Sequence, residues 1–181
     1  MSDRSARNGR PALRLVAAPE LEPAAPTVAF CSHCGTRPFV PARPGKSGKP
    51  TNADAAPGSR VCGACGLGLI LEAAQDIAPH AGDAFLVLDR ALSVCAVSRG
   101  AERLLATCEP DTVNRHVTSL LMPADAEEDG GDSLSVAVAW AARGDGGTRT
   151  TILRPANTFG IRLTARIASC GPPRAALLVL E

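Results

Sequence analysis

The stretch Gly66-Leu-Gly-Leu-Ile-Leu-Glu-Ala-Ala-Gln-Asp-Ile-Ala-Pro79 joins two differently composed parts of the chain, so its reading decides how they assemble. Leu67, Ile70, Leu71, Ala74 and Ile77 fall at helical spacing, and Pro79 closes the element. Leu69 and Ala73 widen the apolar stripe beyond what one packing surface requires. The spacing predicts a connecting helix over 67–79, covered by its own chain and by a second copy or protein partner along Leu67–Ile77.

Upstream of it, Cys62-Gly-Ala-Cys65-Gly66 answers Cys31-Ser-His-Cys34-Gly35, with the 27 residues 35–61 between the two hooks. Each short Cys-x-x-Cys spacing lets one hook chelate, and two hooks supply the four thiolates of a tetrahedral zinc ion. The glycine after each second cysteine permits the tight turn that aims backbone N–H groups at sulfur. Cys31, Cys34, Cys62 and Cys65 are therefore the predicted ligands of Zn2+, with rubredoxin-type iron as the alternative. Four thiolates leave no open coordination position, which makes the ion structural. His33 could replace a cysteine ligand, but a solvent-facing side chain is the expected reading.

The segment between the hooks holds five Pro and four Gly, with Phe39 and Val40 as its large apolar residues near the start. Such a loop has no core, and metal closure explains its length: the ends are tied while the middle stays mobile. Arg37, Arg43, Lys46, Lys49 and Arg60 stand there against Asp54, a local excess of positive charge. With no interleaved aromatics to stack bases, a solvated loop is the expected reading and nucleic-acid binding the alternative. Residues 1–27 mix Arg, Pro, Ala and Glu without sustained periodicity and read as a disordered leader, 28–66 as a zinc-ribbon-like module.

Whole-chain numbers narrow the classes. A net charge of +1 over 181 residues excludes a strongly basic nucleic-acid binder as a whole-chain property. Aromatics make up 3%, so the core must rest on Val, Leu, Ile and Ala. Seven cysteines, four of them in paired hooks, fit metal binding in a reducing compartment better than a disulfide framework. With no apolar stretch resembling a signal peptide or a membrane span, a cytoplasmic location is expected.

Downstream, Ala84-Phe-Leu-Val-Leu88 and Leu92-Ser-Val-Cys-Ala-Val97 flank Asp89-Arg90-Ala91 and read as a hairpin. Ser98 can cap a helix whose apolar residues are Ala101, Leu104 and Leu105. Short helical turns follow to Met122-Pro123, then the acidic, Gly-containing loop 125–132. Leu134, Val136, Val138 and Trp140 alternate like a strand, while the Ser133 cap and the Ala-rich tail to Gly144 favour a helix; local reasoning leaves both open. Thr148–Arg154, Phe159–Ala168 and Ala175–Leu180 read as strands, with turns at 155–157 and at Gly171-Pro-Pro173.

This order resembles a PAS domain across about 100 residues. The likeness is carried by Phe85-Leu-Val-Leu-Asp-Arg90, Val94-Cys-Ala-Val-Ser-Arg-Gly-Ala-Glu-Arg-Leu-Leu105, Ile161-Arg-Leu-Thr-Ala-Arg-Ile167 and Ala176-Leu-Leu-Val-Leu180. The hooks resemble the knuckles of zinc ribbons and rubredoxins. The PAS resemblance implies an α+β fold over 80–181, a five-stranded antiparallel sheet with helices on one face, and makes 134–142 a helix crossing that sheet. It also implies a sensor of ligand, redox state or light, or a dimerisation module. His116 is the candidate for a haem ligand under that resemblance, a surface or capping role being the simpler reading, and the flavin-adduct motif Asn-Cys-Arg-Phe is absent. His80 stands in a linker, and Cys95, Cys108 and Cys170 read as small apolar side chains. No nucleophile–base pair, phosphate loop or paired-carboxylate pattern is present, so no enzymatic activity is expected. The predicted function is signalling or transcriptional regulation, with iron electron transfer as the alternative.

Overall fold

The computed structural model describes residues 26–38, 60–124, 133–158 and 160–181. Almost all of the leader, the middle of the inter-hook loop with Arg43, Lys46 and Lys49, and the acidic loop 125–132 lie outside the described residues. In chain order the elements are β1 (Thr27–Cys31), β2 (Ile70–Ala74), β3 (Ala84–Leu88), β4 (Val94–Val97), α1 (Arg99–Leu105) and α2 (Glu109–Thr112). A 3-10 turn (Val117–Ser119), β5 (Leu121–Pro123), α3 (Leu134–Arg143), β6 (Arg149–Pro155), β7 (Leu163–Gly171) and β8 (Ala175–Leu180) complete the order. The fold is mixed α and β, and the eight strands among the described residues form one antiparallel sheet.

Strands β3 and β8 are apolar at every position because both of their faces are covered. Leu86, Leu88, Ala176, Leu178 and Leu180 enter one core with α1 and α3, whereas Phe85, Val87, Ala175, Leu177 and Val179 enter a second. A period of two thus divides each strand between two cores. The first core takes its helical contribution from Ala101 of α1 and from Leu134, Ala137, Val138 and Ala141 of α3. The alternation at 134–140 therefore resolves as a helix, capped by the Ser133 hydroxyl at one end and by Gly144 in the left-handed conformation at the other. The expected hairpin is present as β3–β4. Ser98 caps α1, its Oγ accepting from the Ala101 N–H at 3.0 Å.

Among the described residues the second core has no helix. It is closed by Phe30 of β1, by Leu71 and Ala73 of β2, and by Ile77 and Ala78. The predicted helix over 67–79 is thus replaced by a strand: β2 pairs with β1 from Thr27↔Ala74 to Cys31↔Ile70. Its other edge meets β7 at Glu72↔Gly171 and Ala73↔Cys170. The physical reason is the pleat, which turns Leu71 and Ala73 inward and leaves Glu72 exposed, while two waiting strand edges satisfy the backbone. Of the apolar stripe, Leu71, Ala73 and Ile77 are thereby buried within the chain, Ile70 and Ala74 are half-buried, and Leu67 and Leu69 stay exposed. The five-strand expectation also needs correction. The path β4-β3-β8-β7-β6 is five strands long, but β5 extends it beyond β6, and β1 and β2 add a second branch at β7. Among the described residues, no helix is long and apolar enough to cross a membrane.

Candidate metal centre

Each hook is a turn hung from the β1–β2 ladder. The Gly35 N–H donates to the Cys31 carbonyl at 3.0 Å, and the Gly66 N–H to the Cys62 carbonyl at 2.8 Å. Both glycines hold positive φ, +71° and +69°, so the predicted role of the glycine after each hook is met. The hooks are tied together by Ser32, whose N–H donates to the Leu69 carbonyl (2.8 Å) while its Oγ accepts from the Leu69 N–H (3.0 Å). The Cys62 N–H donates to the Gly68 carbonyl at 2.8 Å.

This scaffold brings Cys31, Cys34, Cys62 and Cys65 together, their sulfurs all within 4.8 Å of one another. Across the hooks Cys31 and Cys65 lie 3.6 Å apart, and Cys34 and Cys62 3.9 Å apart. A tetrahedral ion with Zn–S bonds of about 2.3 Å would hold its sulfurs about 3.8 Å apart. All four thiols are free, so the group could hold a metal ion. Sulfur-directed N–H groups are in place: those of His33 and Cys34 approach Cys31 Sγ at 3.4 and 3.5 Å.

The four thiols are electrostatically unequal. Burial pushes Cys31 up to about 12, an effect that the N–H groups of Cys34 and His33 only partly offset. Burial also opposes the Cys65 thiolate, but N–H groups of Gly68 and Leu67 and the neighbouring thiols outweigh it, bringing Cys65 to about 6. Burial likewise opposes the Cys34 thiolate, but hydrogen bonds from Thr36 outweigh it and lower that thiol, while four thiolates together would crowd like charges into a partly buried space. A divalent ion reverses that balance by replacing the protons.

Gly68 shapes the centre from outside the Cys-x-x-Cys pattern. A Cβ there would overlap Cys31 Sγ and stand 2.8 Å from both the Cβ and the N of His33. The Gly-x-Gly step at 66–68 was its only signal in the sequence. His33 lies outside the group of four sulfurs that could hold an ion, and it does not face solvent as expected: it is 7% exposed. Its ring is covered because Arg99 at the start of α1 reaches it, Nε donating to His33 Nε2 at 3.2 Å and the Arg99 N–H to the His33 carbonyl at 3.0 Å. His33 Nδ1, without a hydrogen-bond partner, lies 3.6 Å from Glu109 Oε2. Arg37, counted among the basic loop residues, donates instead to the carbonyls of Pro79 and Ala78.

The other histidines are not among the grouped ligand atoms. His116 is exposed and caps the 3-10 turn, its Nδ1 lying 2.7 Å from Thr118 Oγ1. His80 is exposed in a turn whose N–H donates to Asp83. Cys95 and Cys108 are exposed and Cys170 is buried.

No protein-family model matches this chain, and no curated protein matches it. Among solved structures, the chain is similar to the PAS domain of nitrogen regulation protein NR(II) from Vibrio parahaemolyticus, with a TM-score of 0.40 and 15% identity. That match covers 55% of this chain and 88% of the other.

Proposed function

We propose that this chain is a non-enzymatic, cytoplasmic signalling or transcription-regulatory protein, built as a PAS-type sensor or interaction domain held closed by a structural zinc–thiolate clasp. The carrying observation is the geometry of the four sulfurs, whose cross-hook spacings of 3.6 and 3.9 Å match a tetrahedral ion. Four thiolates leave no position for water or substrate, which suits an ion in a structural role such as zinc. Seven free cysteines suit a reducing compartment. The PAS-type reading is supported by the antiparallel path β4-β3-β8-β7-β6 with α1 and α3 packed on one face. Output passes through protein contacts, a homodimer being the simplest case. Leu67 and Leu69, beside the clasp, stay exposed while the rest of the Leu67–Ile77 stripe is wholly or partly buried within the chain.

Native mass spectrometry of the purified chain tests the proposal in one measurement. The expected result is one zinc per chain and a dimer mass. A red iron–thiolate chromophore would overturn the structural-zinc reading in favour of electron transfer. A metal-free monomer would overturn both clasp and dimer.

A further inference from the structure

Between the second hook and the sheet lies a cleft of ≈ 340 Å3 on the face that carries the second core. Leu67, Leu69 and Leu71 line it from the second hook and β2, and Val87 and Ala96 from the β3–β4 hairpin. Its volume falls at the lower end of the range for small-molecule sites, and its lining is mainly apolar with a few polar groups, as such sites require.

The charges at the cleft set the sign of what it would take. Asp89 and Glu109 both line it, and Glu109 Oε2 also lies 3.6 Å from the Nδ1 of the buried His33 behind the lining. The Asp89 carboxylate is fixed in place, Oδ1 accepting from the N–H groups of Ala91 and Ser93 at 2.8 Å each. Arg174 is the one cation in the lining, and its Nη1 is committed to the Arg143 carbonyl at the end of α3, 3.0 Å away. Two carboxylates against one engaged guanidinium, in a mainly apolar lining, complement a positive head on an apolar body.

We propose that this cleft binds a small apolar primary amine, its ammonium group between Asp89 and Glu109 and its hydrocarbon against Leu67, Leu69 and Val87. The inference deepens the sensing role proposed above and rests on that reading for its metal requirement. The Leu67–Leu69 wall is the same segment whose Gly68 and Leu69 carbonyls hold Cys62 and Ser32, so the wall stands only while the two hooks are closed. Ligand and ion then favour one another through a shared element, and the coupling is reciprocal.

The test is a titration of the zinc-loaded full chain with hexylamine, hexanol and hexanoate, followed by backbone amide chemical shifts. Hexylamine should move Leu67, Gly68, Leu69 and Ala96 saturably, with hexanol about fivefold weaker and hexanoate weaker still. Glu109→Gln should weaken hexylamine by about fivefold, the size of a partly exposed ion pair, with zinc content and circular dichroism unchanged. Asp89→Asn should act in the same direction, and if it fails to fold, the Glu109 variant alone decides. Removing zinc with a chelator should abolish the saturable shifts. Equal response to all three probes, scattered shifts, or none would overturn the inference while leaving a one-zinc clasp intact. A chain purified without metal overturns the clasp reading itself, and the ligand-gated wall with it.

Discussion

Replacing Gly68 by alanine should disable the metal centre without touching a ligand. The added Cβ would overlap Cys31 Sγ and stand 2.8 Å from His33 Cβ and N, so three atoms of the first hook block it together. Carbon and sulfur pack at about 3.5–4 Å, so the sulfur must retreat by about 1 Å. Metal–sulfur bonds tolerate only about ±0.2 Å. Cys31 must therefore leave the coordination sphere, or the hooks must separate. If a four-ligand zinc site is worth about 10–16 kcal/mol, one ligand is worth ~3–4 kcal/mol, or about 10²–10³-fold in affinity. Competition against a chromogenic chelator at fixed pH measures this directly. Two neighbours serve as controls. Gly63 has nothing within 4 Å of an added Cβ, so Gly63→Ala should bind as wild type. Gly66→Ala meets no atom either but carries φ +69°, so it should cost only about 1–2 kcal/mol of left-handed strain. Wild-type affinity in Gly68→Ala would refute the sulfur packing on which the centre is built.

Ser98→Ala removes a buried hydroxyl that caps α1, accepts from the Phe85 N–H at 2.9 Å and donates to the Asp83 carbonyl at 2.9 Å. It should cost about 2–4 kcal/mol, seen as a lower urea midpoint at unchanged slope. Phe30→Ala deletes a fully buried ring that meets Phe85 edge-on, centroids 5.8 Å apart, and should lower stability by about 3–5 kcal/mol in thermal unfolding of the metal-loaded chain. Burial, and secondarily the nearby Cys95, raises the Cys170 thiol from 9.0 to about 12. A thiol whose folded value is raised contributes its stability below about pH 9 and loses it as pH climbs toward 12. Urea unfolding across that window should therefore show a decline that Cys170→Ala makes shallower; an unchanged slope would contradict it.

Which elements were legible follows from how local their causes are. The cysteine hooks were visible because chelation needs only a short spacing, which is local to each hook. The β3–β4 hairpin and the Ser98 cap were visible because a turn and a hydroxyl act on residues within a few positions. Residues 134–143 carried contradictory signals, and the cap and the left-handed Gly144 outweighed an alternation that α3 tolerates with Val136 and Trp140 exposed. The 67–79 stretch misled because Leu67, Ile70, Leu71, Ala74 and Ile77 satisfy a helical period by accident of a Leu-rich run. Leu69, Leu71 and Ala73 satisfied a strand period equally well, and the two glycines at 66 and 68 weigh against a helix. What decided between them lay out of local reach: β1 some forty residues upstream and the free edge of β7 about a hundred downstream. The burial of His33 was hidden for the same reason, since Arg99 stands 66 positions away.

The branch at β7 explains why a chain so poor in aromatics can make its central strands apolar on both sides. One edge of β7 is divided, β6 taking residues 163–167 and β2 taking 170 and 171. The cysteine hairpin is therefore an extension of the sheet whose side chains close over the second face of β3 and β8. The metal centre and that second core are then one cooperative unit, for Phe30 is the residue before Cys31 and Leu71 lies in the strand that begins after the second hook. Opening the hooks would release β1 and β2 from each other and expose Phe85, Val87, Leu177 and Val179 to water. A fold with four phenylalanines in all has little apolar surface to spare. An ion held by the four cysteines would therefore act on the whole sheet, and its removal should loosen the second face well beyond the cysteines themselves.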